Sequence, residues 1–174
     1  MNHTATMTHF RPILGESLIA CLAATLCVLV IHAPAWAMFV GWIAFFTRGI
    51  NARAGLVNLV CVLIGLTLGI ATAFASAVLA PYLGSLTIAP GVLLVTLIVL
   101  SLRFIPVFNN PLSYFLGVVC YFASQLPPTP GSFIELATAV SLGVLAGLLA
   151  SLVQKHWSGQ ECKASQIEKH LPNQ

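Results

Sequence analysis

The fold is decided by residues 54–80, which read AGLVNLVCVLIGLTLGIATAFASAVLA and contain no charged side chain. A helix of about 20 apolar residues crosses the roughly 30 Å hydrocarbon core of a bilayer, so this run is typical of a transmembrane helix. The whole chain has a similar composition, with 59% hydrophobic and 6% charged residues, whereas soluble domains carry about 25% charged residues. A soluble chain of this size could not bury so much apolar surface. The sequence therefore predicts an all-α integral membrane protein.

Outward from this run, proline and polar residues divide the chain into six predicted transmembrane helices. Backbone polar groups in lipid must bond within their own segment, so each apolar run is expected to be a helix. The predicted helices are residues 13–31, 35–46, 54–80, 86–102, 112–125 and 132–153. They form one membrane domain, residues 13–154. An amino-terminal segment, residues 1–12, precedes it, and a polar tail that we expect to be mobile, residues 155–174, follows it.

The basic residues are distributed as six spans require. Six spans place the two termini, the second loop and the fourth loop on one side of the membrane. These segments hold all seven Lys and Arg residues, namely Arg11, Arg48, Arg53, Arg103, Lys155, Lys163 and Lys169. Because Lys and Arg accumulate on the cytoplasmic side, both termini are predicted to be cytoplasmic. The scattered placement of these residues predicts no nucleic-acid partner.

The two halves of the chain resemble each other at a spacing of 76 residues, the distance from Gly41 to Gly117. Residues 39–46 read FVGWIAFF and residues 115–122 read FLGVVCYF, and both fit the pattern F-x-G-x-x-x-[FY]-F. Further glycines pair in the same order: Gly15 with Gly91, Gly55 with Gly131, and, after two residues of slippage, Gly65 and Gly69 with Gly143 and Gly147. The sequence therefore predicts an internal duplication.

Each repeat contains three helices, an odd number, so the second repeat enters the membrane in the opposite orientation to the first. The first repeat covers about residues 13–80 and the second about residues 86–153. Such inverted repeats are common among transporters, whose pathway lies at the repeat interface. The segment Ala35-Trp36-Ala37 also fits a signal-peptide cleavage site, but the first repeat requires helix 1, which we expect to be retained.

Helices 2 and 5 are short, since about 14 residues give roughly 21 Å of helix against a core of about 30 Å. Their paired aromatic residues predict an apolar constriction that passes small neutral solutes and rejects hydrated ions. The alternative is that the glycines let helices approach and the aromatic rings only fill space. The candidate pathway-lining residues are Phe39, Gly41, Trp42, Phe46, Phe115, Gly117, Phe122 and, on helix 3, Asn58.

Small and polar residues elsewhere have structural interpretations. The glycines Gly65, Gly69, Gly143 and Gly147 predict close packing of helices 3 and 6, either with each other or with another subunit. Glu135 follows Ser132 by three residues and fits a capping box at the start of helix 6, with a solute-binding acid as the alternative. Asn109 and Asn110 precede Pro111 and predict a turn.

The paired motifs at residues 39–46 and 115–122 resemble the YcdZ-like family of small bacterial inner-membrane proteins, a domain of unknown function. The resemblance covers roughly residues 13–153. It implies a location in the bacterial inner (plasma) membrane and carries no substrate or catalytic residue to this chain.

Functionally, the sequence predicts a small channel or facilitator for a small neutral or weakly polar solute, working as a homo-oligomer in the lipid bilayer. No catalytic constellation, metal-ligand spacing or cofactor motif is present in the sequence, so we expect neither an enzyme nor a bound metal or cofactor. Two alternatives remain. One is an ion-coupled secondary carrier that uses Glu16, Glu135 or backbone carbonyl groups. The other is a non-transporting membrane subunit that binds a partner protein through its glycine-rich faces.

Overall fold

The computed structural model describes the backbone of residues 3–170 and the side chains of residues 12–157 except Ser85. Within these residues the protein is all-helical, with six α-helices and no strand. The helices are α1 (His3–Leu26), α2 (Ala35–Phe46), α3 (Ala52–Leu83), α4 (Ile88–Leu102), α5 (Pro111–Ser124) and α6 (Pro130–His170). A π-helical turn, Cys27–Ile31, continues α1, and a 3₁₀ turn, Gly84–Thr87, precedes α4.

Three helices extend beyond their predicted ends. α1 begins at His3 rather than at residue 13, and α6 continues to His170, so the tail expected to be mobile is largely a continuation of the helix. α3 passes Pro81 and ends at Leu83. Pro81 cannot donate a backbone hydrogen bond, and α3 ends two residues after it. The side chains of Arg11, Lys163 and Lys169 lie outside the described residues.

Three of the helices are long and apolar enough to cross a membrane: Pro12–Ile31, Ala52–Leu83 and Pro130–Trp157. The other three, α2, α4 and α5, are apolar but have only 12, 15 and 14 residues. At 1.5 Å per residue these lengths correspond to roughly 18–22 Å. The shortness expected of helices 2 and 5 is therefore present, and α4 shares it.

The helices are arranged in two groups, each containing helices from both halves of the chain. In one group α2 packs against α6, and α1 covers α6 from outside. In the other group α5 packs against α3, and α4 covers α3. The two groups meet along α2, α3 and α6. A core of fully buried apolar residues, including Val62, Leu66, Leu136 and Val140, lies along this seam.

The outer surface is strongly apolar on α1 and α4. Leu22 and Leu29 are 64% and 67% exposed, and Leu93 and Leu97 are 67% and 60% exposed. Soluble monomers rarely present continuous apolar patches of this kind. The helical fold and its apolar exterior are compatible with a membrane protein whose α1 and α4 face lipid.

Candidate functional site

The backbones of α2 and α6 touch at glycines. A Cβ at Gly41 would overlap a backbone carbonyl oxygen of α6, and a Cβ at Gly143 would overlap the carbonyl oxygen of Met38. One turn further along both helices, Gly147 lies against Phe45. The contact passes from Gly143 beside Met38 to Gly147 beside Phe45, so residue numbers rise in the same direction along both helices. α2 and α6 therefore run parallel. Any larger residue at these glycines would force the two helices apart.

The same arrangement joins α3 and α5. A Cβ at Gly117 would overlap a backbone carbonyl oxygen of α3, and a Cβ at Gly65 would overlap the carbonyl oxygen of Tyr114. One turn further along, Gly69 lies against Tyr121. These two helices are therefore also parallel. The glycines of helices 3 and 6 pack against α5 and α2, respectively, rather than against each other.

The aromatic residues proposed to line a pathway lie mainly at the outside of α2 and α5. Phe39, Phe46 and Phe122 are 41%, 39% and 43% exposed, and Trp42 and Phe115 are half-buried. The glycines of the same motif, in contrast, face the interior. In this conformation the exposed rings of Phe39, Phe46 and Phe122 do not lie in the core along the seam between the two helix groups.

A buried polar cluster lies at one end of the bundle, where α2 ends and α3 and α5 begin. Asn110 caps α5, and its side-chain oxygen accepts a hydrogen bond from the backbone N–H of Ser113 at 3.4 Å. The Nδ2 atom of Asn110 lies 2.7 Å from Thr47 Oγ1 and 2.8 Å from both Asn58 Oδ1 and Ser113 Oγ. Asn58 is fully buried, and its Nδ2 donates to the carbonyl oxygen of Ala44 at 2.9 Å. The cluster thus ties α2, α3 and α5 together.

Sequence reasoning identified Asn58 but missed its partners. Asn110 was expected to serve a turn, whereas it is both a helix cap and the centre of the cluster. The local signal for the cap was available, because Asn-Pro followed by a polar residue three positions after the Asn is a typical helix start. Thr47 gave no local signal, since its contact with Asn110 spans 63 residues of sequence.

Arg48 connects the loop after α2 to the loop before α5. Its Nη2 donates to the carbonyl oxygen of Pro106 at 3.0 Å, and its Nη1 to those of Val107 and Asn109 at 3.2 and 3.3 Å. Beside it lies a cavity of about 360 Å³, hereafter the arginine cavity. Its lining residues are Arg48, Asn51, Arg53, Ala54, Val57, Asn58, Pro106 and Val107.

A second cavity, hereafter the apolar cavity, lies near the opposite end of the molecule. It measures about 490 Å³ and is formed by α3, by the loop before α6 and by the first residues of α6, among them Ile70, Phe74, Pro130 and Phe133. From Asn58 to Ile70 α3 rises by about 18 Å. The fully buried apolar residues Val62 and Leu66 lie on α3 between the two cavities.

The start of α6 differs from the predicted capping box. α6 begins at Pro130, two residues before the predicted start. The capping side chain is that of Thr129, whose Oγ1 accepts a hydrogen bond from the backbone N–H of Ser132 at 3.3 Å. The hydroxyl of Ser132 donates to the carbonyl oxygen of Pro127 at 2.7 Å. Glu135 lies inside the second turn, so it cannot complete a box with Ser132 as the cap.

Among the residues with described side chains, no group of three or more His, Cys, Asp or Glu residues could hold a metal ion.

The family model described as a protein of unknown function (DUF1097) matches residues 14–154. This match covers most of the chain, which therefore belongs to that family. No curated protein and no solved structure matches the chain.

Proposed function

We propose that this member of an uncharacterised family is a six-span membrane protein built from two inverted three-helix repeats, and that it is a small channel or facilitator for a small neutral or weakly polar solute. The proposal includes the YcdZ-like relationship, a location in the bacterial inner membrane with both termini cytoplasmic, and no catalytic activity or cofactor.

The observation that carries the proposal is the correspondence between the two glycine contacts. α2 and α5 begin at Ala35 and Pro111, 76 residues apart, and α3 and α6 begin at Ala52 and Pro130, 78 residues apart. Each contact of α2 with α6 has a counterpart between α5 and α3 at these spacings. The corresponding residues are Gly41 and Gly117, Met38 and Tyr114, Phe45 and Tyr121, Gly65 and Gly143, and Gly69 and Gly147. A duplication related by a twofold axis accounts for all five pairs together.

The helix directions support six spans. Successive spans of a membrane protein alternate in direction. The second and sixth spans therefore point the same way, and so do the third and fifth. Both of these pairs are parallel in the glycine contacts. The hydrogen bonds of Arg48 to the loop before α5, and of Lys155 to the carbonyl oxygen of Ile50 at 2.8 Å, bring the basic segments to one end of the molecule. This arrangement matches the charge distribution from which cytoplasmic termini are proposed.

The two cavities suggest where a solute would pass. The arginine cavity lies at the start of α3. The apolar cavity lies beside the start of α6, which is the helix of the second repeat that corresponds to α3. Between them, the seam is closed by Val62, Leu66, Leu136 and Val140. An apolar closure between two recesses would admit small neutral molecules and oppose hydrated ions. We therefore propose that the constriction is formed by these four residues and not by the exposed phenylalanines.

The alternatives have less support. A carrier would need its acids near the pathway, but Glu16 lies on α1 and Glu135 near the start of α6, and neither lines the two cavities. A partner-binding subunit was expected to use its glycine faces, but these glycines contact α2 and α5. No observation favours either alternative over the channel.

The topology can be tested with accessibility tags in the full-length protein. A tag inserted at Gly84, in the turn between α3 and α4, is expected to be accessible from the periplasm, and a tag at the carboxyl terminus from the cytoplasm. A cytoplasmic Gly84 tag or a periplasmic carboxyl terminus would overturn the six-span arrangement.

Transport can be tested by swelling of proteoliposomes with a panel of small neutral solutes. Replacing Val62 and Val140 together by Ala widens the proposed closure and is expected to raise solute flux severalfold. Leu97→Ala, on the exposed face of α4, is the control and should leave the flux unchanged. No flux above empty liposomes would refute transport. A flux that changes in Phe46→Ala with Phe122→Ala, but not in the valine variant, would place the pathway along the aromatic surface.

A further inference from the structure

The cations around the loop after α2 have no acidic partner among the described side chains. Arg48 and Lys155 donate to carbonyl oxygens of Pro106 and Ile50, respectively. Such contacts orient a cation but do not neutralise it. Arg53 is exposed and makes no hydrogen bond or ion pair with any described residue. At this end of the protein, therefore, none of these three cations is paired with a described acid.

The acids with described side chains form no ion pair with these cations. Only Glu16 and Glu135 have described side chains, and neither forms an ion pair with another described residue. Glu135 lies near the start of α6, about 30 Å along the helix from Lys155. Glu16 shares the end of the bundle with Lys155, because its neighbour Gly15 contacts Val153, but it does not line the arginine cavity.

The arginine cavity gives these charges a shaped site. Its volume of about 360 Å³ is within the range of small-ligand pockets, roughly 300–1,000 Å³. Arg48 and Arg53 line it together with Asn51, whose Oδ1 accepts a hydrogen bond from the N–H of Ala54 at 2.8 Å at the start of α3. A guanidinium group presents paired donors that match the oxygens of a phosphate. No described residue accepts a hydrogen bond from the Arg53 guanidinium group.

We propose that the arginine cavity binds the phosphate group of an anionic ligand, with Arg53 as the main contact and Arg48 held in place beside it by the loop carbonyl groups. The same phosphate chemistry occurs in the headgroup of an anionic lipid and in free phosphate. This inference does not depend on solute transport, and a protein that transports nothing could still have this site.

The experiment measures binding to the full-length protein purified in a neutral detergent. One arm titrates inorganic phosphate against chloride at equal ionic strength and follows thermal stabilisation. The other arm exchanges the protein with vesicles of phosphatidylglycerol and phosphatidylcholine in equal amounts, and native mass spectrometry counts the lipids retained. The variants are Arg53→Gln and, as the matched control, Arg103→Gln. Arg103 is also a cation at the end of a helix, but its guanidinium carbon lies 5.6 Å from the centre of the Phe104 ring. It does not line the arginine cavity.

If the site takes free phosphate, the half-saturating concentration is expected to rise about tenfold in Arg53→Gln, because a charge-assisted bidentate contact is lost. The control should stay within about twofold of the wild type. If the site takes a lipid headgroup, phosphate alone has no effect, and retained phosphatidylglycerol falls by a similar factor in Arg53→Gln only. Either result supports the proposal and identifies the source of the phosphate.

The proposal is overturned if neither probe binds, or if Arg53→Gln and Arg103→Gln reduce binding equally, which would indicate a diffuse charge effect. Arg53 is exposed and makes no hydrogen bond or ion pair with any described residue, so the variant is expected to fold. If it does not, Arg53→Lys is measured, which keeps the charge and loses the paired donors. Its half-saturating concentration should rise about threefold, and an unchanged value would also refute the proposal.

Discussion

Replacing Asn58 by Ala should destabilise the protein, because this side chain joins α3 to α2 and to the cap of α5. Its Nδ2 donates to the carbonyl oxygen of Ala44 on α2 at 2.9 Å, and its Oδ1 accepts from Asn110 at 2.8 Å. The substitution removes both bonds, and a longer one from Nδ2 to the carbonyl oxygen of Phe45 at 3.5 Å, at a fully buried position. It therefore removes the hydrogen bonds by which Asn58 connects α3 to α2 and to the cap of α5.

The loss of stability in Asn58→Ala depends on which hydrogen bonds Ala44 and Asn110 retain. The Ala44 carbonyl oxygen still accepts from the N–H and the hydroxyl of Thr47, at 3.2 and 2.8 Å. The Asn110 amide keeps Thr47 and Ser113 as acceptors. These two partners are therefore not left unsatisfied, so the large cost of an orphaned buried group does not apply to them. Interhelical hydrogen bonds in membranes average about 0.6 kcal/mol and reach about 1.7 kcal/mol, so the loss of two predicts about 1–2 kcal/mol.

The assay is reversible unfolding in mixed micelles, in which the detergent sodium dodecyl sulfate is titrated and helical circular dichroism is followed. Asn109→Ala is the matched control, since the Asn109 side chain makes no hydrogen bond with any described residue and its change should cost less than about 0.5 kcal/mol. The cycle with Asn110→Ala should give a coupling energy of about 0.5–1 kcal/mol between the two asparagines. Equal effects of Asn58→Ala and Asn109→Ala, or zero coupling, would refute the role given to the cluster.

The remaining predictions concern the glycine contacts and the two tyrosines of α5. Gly41→Val and Gly117→Val should each lower the free energy of unfolding by about 3 kcal/mol, because the added carbons overlap a facing backbone. Gly131→Val should cost less than about 1 kcal/mol, because a Cβ there meets Thr129 Oγ1 at 3.7 Å, an ordinary van der Waals contact. Equal costs at all three positions in the detergent titration would contradict this. Tyr114→Phe should be neutral or stabilising, since the Tyr114 hydroxyl is buried without a hydrogen-bond partner among the described residues. Tyr121→Phe should cost about 1 kcal/mol by the same assay, because its hydroxyl donates to a carbonyl oxygen at 3.1 Å. A larger cost for Tyr114→Phe than for Tyr121→Phe would contradict both predictions.

Helix positions were largely predictable because long apolar runs bounded by prolines leave few choices. α2 spans Ala35–Phe46 as predicted, and α5 spans Pro111–Ser124, one residue from the prediction at each end. Apolar runs bounded by prolines must be helical when no water can satisfy their backbone groups. The outer ends of α1 and α6 were not predictable in this way, because their polar sequence obeys no such constraint.

The polar cluster was only partly predictable. Asn58 stands out in an apolar helix, and a buried amide must find partners. Which partners it finds depends on residues far away in sequence, with Asn110 52 positions distant. No local pattern contains that information. The hydroxyl of Thr47 joins the cluster only because the end of α2 lies against the start of α5.

The sequence by itself determined that the chain consists of apolar helices, where most of them begin and end, and that glycines mark faces of close approach. Only the tertiary structure decided that α2 contacts α6, that α5 contacts α3, and that Phe39, Phe46 and Phe122 remain exposed. The physical reason is that a small residue permits close approach to any helix, since all six are apolar. The choice of partner comes from the fit of a particular backbone carbonyl against a particular glycine, and that fit exists only after the helices have assembled.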